Sequence, residues 1–375
     1  MSDLGRKDQT IRAWGVYVSE DAAAEVGRAL DAVWLNTGSQ ERLFRETFSQ
    51  RFNIPYCVAT CNGTASLRAS LAMLKVGPGD EVISTPMTFL ATNTAILEQG
   101  ATVVFADIRS DDLNIDPASV REMITPRTKA IICVHYGGNP CDMDELWAIG
   151  REQELPVIED CAHALGSAYK DQDVGSRGDI ACFSFQAVKI ITCGDGGMIT
   201  TPREDYYKKL KKYVWYGVDR EGRPPAVDGL PEDIDVLGFK YNMNDITATL
   251  ALAGLRHVDI PLARRQVIGK RYRDELRDCR KIRIMKYYAD RRPNYQLFPV
   301  CVDDRTSFSE WMWAQGIQVV VNNRRSDRYS IMGGLRDLPV TERADREVIL
   351  LPIHCQLSDD DQARVIEAVL EYDRI

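Results

Sequence analysis

The chain has 375 residues, of which 45% are hydrophobic and 27% are charged, and its formal net charge is −8. This length predicts one large domain with a smaller one, and the composition excludes a largely disordered chain. An acidic chain without a long basic run disfavours nucleic acid as a partner. No apolar run is long enough to span a bilayer, and no apolar signal-peptide segment follows the N-terminus, so we expect a cytoplasmic protein.

Strand and helix patterns alternate through the first half of the chain. The hydrophobic period predicts helices at 20–34, 41–52, 61–74 (opening on a turn of small residues), 89–99, 117–124 and 143–153. Short apolar runs predict strands at 56–60, 81–84, 102–107, 130–134, 156–160, 180–185 and 197–201. Because most of these runs are apolar throughout, they predict an α/β fold with helices on both faces of a mostly parallel sheet.

The rest of the chain predicts a second, smaller unit. Glycine and proline residues at 218–236 indicate a loop, followed by helices at 242–255, 257–279 and 359–373 and strands at 295–300 and 317–321. We therefore predict a large domain at 1–255 and a smaller C-terminal α/β domain at 256–375.

The ten cysteines are scattered along the chain, and no C-x-x-C pair occurs. This spacing disfavours a zinc site, and we predict no bound metal. Most of the cysteines lie inside apolar segments, which is typical of buried, reduced thiols that pack as small hydrophobic groups.

Polar residues follow several of the predicted strands, and ligands of parallel sheets bind at the carboxyl ends of the strands. Asp160, Ser184, His135 and the turn at Gly63 all lie at such ends. They therefore mark the edge of the sheet where we expect the functional site.

Lys189 lies between an apolar strand and a Gly-Asp-Gly-Gly turn, with Val188 and Ile190 as neighbours. If its side chain points inward, desolvation favours the neutral amine, which is the form that attacks carbonyl groups. A surface lysine with a buried stem is the simpler interpretation of Lys189 taken alone. The neighbouring candidates favour an amine that forms a Schiff base with a carbonyl cofactor.

Asp160 ends an apolar strand, where a carboxylate is costly without a cationic or donor partner. The protonated ring nitrogen of pyridoxal 5′-phosphate is such a partner. A helix cap or a metal ligand is the alternative, but a metal is disfavoured because Glu159 should point to the opposite face of the strand.

A phosphate site is predicted where the small-residue turn opens a helix. Gly63 and Thr64 at the helix start offer free backbone N–H groups, and Ser184 can add a hydroxyl. The order of phosphate turn, acid and lysine is more specific than any of the three features alone.

These motifs resemble the DegT/DnrJ/EryC1/StrS family of sugar aminotransferases, which depend on pyridoxal phosphate and share the fold type I class with aspartate aminotransferase. The similarity covers nearly the whole chain, at segments 62–67, 79–83, 128–132, 134–137, 158–166, 183–197 and 350–352. It implies a mostly parallel seven-stranded sheet flanked by helices in the large domain, and a homodimer with shared active sites.

The resemblance also implies roles for individual residues. Lys189 matches the Schiff-base lysine and Asp160 the partner of the pyridine nitrogen, while Gly63, Thr64 and Ser184 match phosphate contacts. His163 stands near the position of the cofactor's phenolic oxygen, and Phe89 stands where an aromatic residue stacks on the ring. His135 and Tyr136, in a family motif, are candidate substrate contacts.

Two segments depart from the family pattern. Lys240 occupies the position of an asparagine that reaches the phosphate of the neighbouring subunit, and a lysine can still meet a phosphate as a point charge. Arg324 and Arg325 suit the diphosphate of a nucleotide. A solvated loop explains these paired arginines equally well.

The predicted reaction moves an amino group from an amino acid, expected to be L-glutamate, to a keto-sugar that carries a nucleotide, with pyridoxamine 5′-phosphate between the two halves. Polysaccharide or natural-product glycosylation would use the amino-sugar. A sugar dehydratase of the same family and a cyclitol aminotransferase are alternatives, although some dehydratases carry histidine in place of the lysine. A non-catalytic protein of this fold is a further alternative, which the intact set of Lys189, Asp160 and Ser184 disfavours.

Overall fold

The computed structural model describes residues 10–221 and 233–375 of the chain. The middle of the predicted loop, with Gly222, Pro224, Pro225, Gly229 and Pro231, lies outside these residues. The helices are α1 (Ala22–Asp31), α2 (Ser39–Phe52), α3 (Gly63–Met73), α4 (Leu90–Leu97), α5 (Pro117–Met123), α6 (Met143–Glu152), α7 (Glu204–Tyr213), α8 (Asp245–Arg256), α9 (Asp259–Leu276), α10 (Arg305–Ala314), α11 (Pro339–Glu347) and α12 (Asp359–Arg374). None of them is long and apolar enough to cross a membrane.

The strands follow the same chain order. They are β1 (Tyr56–Thr60), β2 (Glu81–Ser84), β3 (Thr102–Phe105), β4 (Thr128–Val134), β5 (Val157–Asp160), β6 (Ala168–Tyr169), β7 (Gln172–Asp173), β8 (Ile180–Ser184), β9 (Gly197–Thr201), β10 (Ile282–Ile284), β11 (Arg291–Arg292), β12 (Phe298–Val302) and β13 (Val348–Leu351). Short 3-10 turns occur at Tyr136–Gly138, Ser326–Arg328 and Ser330–Met332.

The large sheet has seven strands in the order β1-β9-β8-β5-β4-β2-β3, which confirms the predicted fold. Strands β3, β2, β4, β5 and β8 are mutually parallel, whereas β9 runs antiparallel to both β8 and β1. Residues 185–196 join β8 to β9 without a helix. Two antiparallel strands such as β8 and β9 can be joined by a short connection, whereas two parallel strands need a longer crossover. Lys189 lies in the short connection between β8 and β9.

Both faces of the large sheet are buried, which explains the continuously apolar strands. Along β8, Ala181 and Phe183 pack into one core with Phe44 and Phe48 of α2. Ile180 and Cys182 pack into a second core on the other face, which α3 and α7 cover. Alternate side chains of a strand point to opposite faces, so a strand covered on both sides must be apolar at every position.

The smaller sheet, β10-β12-β13, is antiparallel and has a separate core with α9, α10 and α12. Its strands differ from the predicted ones. Strand β12 begins at Phe298 rather than at 295, because Tyr295 has a left-handed backbone with φ of 53°. The predicted strand at 317–321 forms only isolated bridges, from Ile317 to Ile11 and from Val320 to Leu350.

Candidate active site

Lys189 lies in the connection between β8 and β9, which is closed at its base by backbone hydrogen bonds. The Phe185 amide donates to the Gly196 carbonyl at 2.8 Å, and the Cys193 amide donates to the Phe185 carbonyl at 3.0 Å. The next two residues, Ile190 and Ile191, are buried in the core beneath α2 and α8. Lys189 therefore lies on a short turn whose two ends are fixed by backbone hydrogen bonds and whose one side is fixed by packing in the core.

The environment of Lys189 raises the fraction of its amine that is neutral. Burial lowers the pKa of Lys189 from 10.5 to about 8, although the negative charge of Asp160 acts in the opposite direction. At pH 7, a pKa of about 8 leaves roughly a tenth of the amines neutral, about 300 times more than a pKa of 10.5 would. The structure thus gives Lys189 the property that a nucleophilic amine requires.

Asp160 is the last residue of β5 and is only 4% exposed. The Thr92 hydroxyl donates to its Oδ2 at 2.8 Å, and the Ala162 amide donates to its Oδ1 at 3.1 Å. Burial raises the pKa of Asp160, while these two hydrogen bonds and the Lys189 charge lower it. The carboxylate is therefore held in a fixed orientation in a dry environment, as expected for the partner of a cationic ring nitrogen.

Sequence reasoning missed Thr92, which lies on α4 and whose hydroxyl also contacts that of Thr88 at 2.8 Å. Both threonines are buried. Thr88 lies before α4, so helical spacing does not pair it with Thr92, and the signal in the sequence is limited to the general need of buried hydroxyls for hydrogen-bond partners. That the partner of Thr92 is Asp160 follows only from the fold, which brings α4 to the end of β5.

His163 lies close to Lys189 and is 8% exposed. Burial lowers the pKa of His163 well below its ordinary value, and the positive charge of Lys189 lowers it further, so the imidazole is neutral. Its Nδ1 atom has no hydrogen-bond partner among the described residues. A neutral imidazole with a free nitrogen can exchange one hydrogen bond with a polar group of a ligand.

The phosphate turn has the geometry of an anion site. The Asn62 side chain caps α3 by accepting from the Ala65 amide at 2.8 Å, which leaves the amides of Gly63 and Thr64 at the helix N-terminus. A Cβ at Gly63 would lie 2.9 Å from the Ser184 Cβ and 3.3 Å from its Oγ. Only glycine permits this approach, which brings the helix start and the Ser184 hydroxyl together.

Phe89 immediately precedes α4, and 63% of its surface is exposed. A large apolar side chain with this exposure can cover a flat ring at the carboxyl end of the sheet. Lys189, Asp160, His163, Gly63 and Ser184 lie on the connections or strand ends at this same edge, because the parallel strands carrying them end side by side.

Three of the predicted substrate contacts are directed elsewhere, which corrects the sequence-based assignment. His135 is fully buried on the opposite face from Asp160; its Nε2 lies 3.1 Å from Oε2 of Glu159, and its Nδ1 accepts from the Cys141 amide. Tyr136 is 2% exposed in an apolar cluster. Arg325 is 5% exposed and forms a bidentate ion pair with Asp327.

Arg324 and Lys240 remain at the surface but already have protein partners. Arg324 forms a bidentate pair with Asp345 at 2.9 and 3.0 Å. The Lys240 amine donates to Oδ1 of Asn242 at 2.7 Å and lies 3.8 Å from the centre of the Trp215 ring. In the single chain, the Arg324 guanidinium is therefore engaged by Asp345, and the Lys240 amine by Asn242 and Trp215.

Glu159 does point away from Asp160, as the strand pleat predicts. It lies with His135 and Cys161 in a buried group whose possible metal-ligand atoms are within 4.8 Å of one another. The hydrogen bonds to Glu159 and to the Cys141 amide already occupy both nitrogens of the His135 ring. A hydrogen bond from the Nε2–H group of a neutral His135 ring to the buried Glu159 carboxylate accounts for this arrangement without a metal.

The sequence is similar to those of known proteins. Residues 16–370 match the sequence model of the DegT/DnrJ/EryC1/StrS aminotransferase family. The chain is 33% identical over 376 residues to the spore coat polysaccharide biosynthesis protein SpsC of Bacillus subtilis, which covers 94% of each chain.

Solved structures agree over almost the full length. The crystal structure of AtS13 from Actinomadura melliaura has a TM-score of 0.93 at 33% identity, covering 98% of this chain and all of AtS13. The pyridoxal phosphate form of the putative sugar aminotransferase Spr1654 from Streptococcus pneumoniae has a TM-score of 0.90 at 28% identity, covering 97% and 99% of the two chains.

Proposed function

The chain belongs to the DegT/DnrJ/EryC1/StrS aminotransferase family, and we propose that it uses pyridoxal 5′-phosphate to transfer an amino group from an amino acid to a keto-sugar. The observation that carries the proposal is the convergence of a weakly basic lysine, a buried carboxylate and a helix N-terminus at one edge of the sheet. The solved structures of related sugar aminotransferases support the same cofactor and substrate class.

The residues at this edge fit pyridoxal phosphate group by group. The free amides of Gly63 and Thr64, with the Ser184 hydroxyl, suit the phosphate, and the narrow approach at Gly63 would be closed by any larger side chain. The orphaned Nδ1 of buried His163 suits a polar ring substituent. The fixed, dry carboxylate of Asp160 suits a protonated ring nitrogen.

Bound pyridoxal phosphate supplies an aldehyde that condenses with amines and a ring that takes up the electron pair left when a C–H bond breaks. The chain's own residues do the rest. Lys189 provides a neutral amine that can take a proton from the donor's α-carbon and return one, because its pKa of about 8 lies near neutral pH. With the cofactor bound, Asp160 would hold the proton on the ring nitrogen, and Phe89 would cover the ring and shield it from water.

The proposed donor and acceptor rest on the resemblance to the family. We propose L-glutamate as the donor and a nucleotide-linked keto-sugar as the acceptor. Of the paired arginines, Arg324 is the one whose guanidinium reaches solvent, with 42% of its side chain exposed, so it remains the candidate for the diphosphate.

We further propose a homodimer in which Lys240 meets the phosphate held by the other subunit. The Lys240 side chain is exposed, and its pKa is lowered by burial and by the nearby Arg220 charge. An amine stacked on Trp215 but open on its other side can accept an anion from a neighbouring molecule.

The test is a screen of purified protein, loaded with pyridoxal phosphate, against nucleotide-linked 3-keto- and 4-keto-sugars with L-glutamate. We expect 2-oxoglutarate and an amino-sugar in equal amounts, measured by coupled absorbance and mass spectrometry. Lys189→Ala should abolish turnover, whereas Lys208→Ala, at an exposed lysine of α7, should not change it.

Two results would overturn the proposal. Full turnover by the Lys189→Ala variant would remove the lysine from the reaction. Formation of a deoxygenated ketose without an amino-sugar would assign the chain to the dehydratase branch of the family instead.

A further inference from the structure

A short segment of the smaller unit, residues 294–297, reaches the candidate site just before β12 begins. The Leu297 amide donates to the Gly137 carbonyl at 3.1 Å, in the connection after β4. The Asn294 side chain donates to the Leu165 carbonyl at 2.8 Å, in the connection after β5 that carries His163. The segment therefore contacts both the connection after β4 and the connection after β5 that carries His163.

The third contact of this segment reaches the lysine turn. Nε2 of Gln296 donates to the Val188 carbonyl at 2.8 Å, one peptide before Lys189. Gln296 is 1% exposed, and its Oε1 has no partner among the described residues. A buried amide oxygen without a hydrogen-bond partner is unfavourable, so apolar packing does not explain a glutamine at this position. The hydrogen bond from Nε2 to the Val188 carbonyl does explain it.

The backbone of Gln296 is itself fixed from α9. One guanidinium nitrogen of Arg265 donates to the carbonyls of Tyr295, Gln296 and Ile353, at 2.8 to 3.1 Å. Arg265 is 3% exposed, and burial lowers its pKa to about 10, which still leaves it charged at neutral pH. Tyr295 adopts the left-handed conformation, a strained state that these contacts hold in place.

We propose that Gln296 is a positioning residue for Lys189: its amide, anchored through Arg265, holds the peptide that precedes the lysine and so keeps the amine buried beside Asp160 and His163. This inference deepens the proposed function and rests on it for the role of Lys189. It assigns to the smaller unit a direct part in the site, through a hydrogen bond to a backbone carbonyl that sequence motifs do not reveal.

The expected consequence concerns the basicity of the lysine. The titratable groups that face Lys189 are Asp160, whose charge raises the pKa of the amine, and His163, which is neutral. Burial is the larger influence and lowers that pKa to about 8. If the turn loosens, the amine gains water and its pKa returns toward 10.5.

The chain offers a matched control in Gln362 on α12. Its Nε2 donates to the Ile268 carbonyl at 2.8 Å, its Oε1 is also without a partner among the described residues, and it is fully buried. Gln362→Met therefore removes the same kind of hydrogen bond as Gln296→Met, but inside the core of the smaller unit. Gln296→Leu is a second variant of similar volume in case methionine reduces folding.

The experiment measures acetylation of Lys189 in cofactor-free protein as a function of pH, by mass spectrometry, with thermal unfolding recorded for each variant. We expect the apparent pKa of Lys189 to rise by at least about one pH unit in the Gln296 variants and to stay unchanged in Gln362→Met. In the loaded enzyme, kcat should fall about tenfold or more in the Gln296 variants with little change in KM, because the lysine is misplaced.

An unchanged pKa in the Gln296 variants, or an equal shift in Gln362→Met, would overturn the inference. The labelling needs neither cofactor nor sugar, so it reports on Gln296 separately from the proposed function. A pKa shift with no amino transfer by the wild type would leave the positioning role intact and refute the proposed reaction.

Discussion

Replacing Lys189 by methionine should stabilise the cofactor-free protein, because the lysine amine is kept in an environment that disfavours its charge. The difference between a pKa of 10.5 in the unfolded chain and about 8 in the folded chain corresponds to about 3 kcal/mol at pH 7. The side chain retains partial exposure, so solvent relieves part of this cost. We expect the free energy of unfolding of Lys189→Met to exceed that of the wild type by about 1 to 3 kcal/mol.

The sign of the pH dependence follows from the lowered pKa. Below pH 8 both states of the wild type bind the proton and the folded state bears the full cost. Between pH 8 and 10.5 the unfolded chain binds more protons, so wild-type stability rises with pH and the advantage of Lys189→Met shrinks. Other groups titrate in this range, but they cancel in the difference between the two proteins.

The assay is urea unfolding of both proteins, monitored by circular dichroism at pH 7, 8, 9 and 10. Lys208→Met, at an exposed lysine paired with Glu204, is the control and should change stability by no more than about 0.5 kcal/mol at any pH. Equal stability of Lys189→Met and wild type at pH 7, or a difference that grows with pH, would refute a weakly basic, buried Lys189.

Three further predictions concern the carboxylate, the phosphate turn and the buried histidine. Thr92→Val removes a hydrogen bond that lowers the pKa of Asp160, so the acid limb of the kcat–pH profile should move to higher pH, and an unmoved limb would contradict this role. Gly63→Ala should weaken pyridoxal phosphate binding about tenfold or more in a fluorescence titration, because the new Cβ would lie 2.9 Å from the Ser184 Cβ. Gly77→Ala is the control, because a Cβ at Gly77 would have open space around it. His135→Phe should lower the free energy of unfolding by about 3 kcal/mol in the same urea assay without changing KM for the sugar, since it leaves a buried carboxylate unpaired; a raised KM would restore His135 as a substrate contact.

The corrected residues show why motif positions alone do not define a binding surface. His135 and Asp160 both lie at the carboxyl end of the sheet, but His135 is paired with Glu159 on the opposite face. Val134, not His135, stands in register with Asp160. A one-residue step along a strand reverses the direction of a side chain, and so it separates a candidate ligand contact from a structural hydrogen bond.

Arg325 illustrates a second limit. Two adjacent arginines on a loop suggest anion binding, yet Arg325 is directed inward to Asp327, only two residues along the chain, and to the Arg336 carbonyl. Charge composition does not reveal this, because whether the guanidinium pairs with Asp327 or with a ligand depends on how the loop folds.

The sequence by itself determined the alternation of strands and helices, the mostly parallel sheet and the three central features: Lys189, Asp160 and the turn at Gly63. These features are local patterns: apolar runs, turns of small residues and a single lysine before a glycine turn. Because they arise from local backbone and burial preferences, they can be recognised in the sequence alone. The tertiary structure alone decided that Thr92 orients Asp160 and that Gln296 reaches the peptide before Lys189, across 108 positions of the chain. Those contacts depend on the fold bringing α4 to the end of β5 and residues 294–297 to the lysine turn, and hydrogen bonds between distant segments produce no periodic pattern in the sequence.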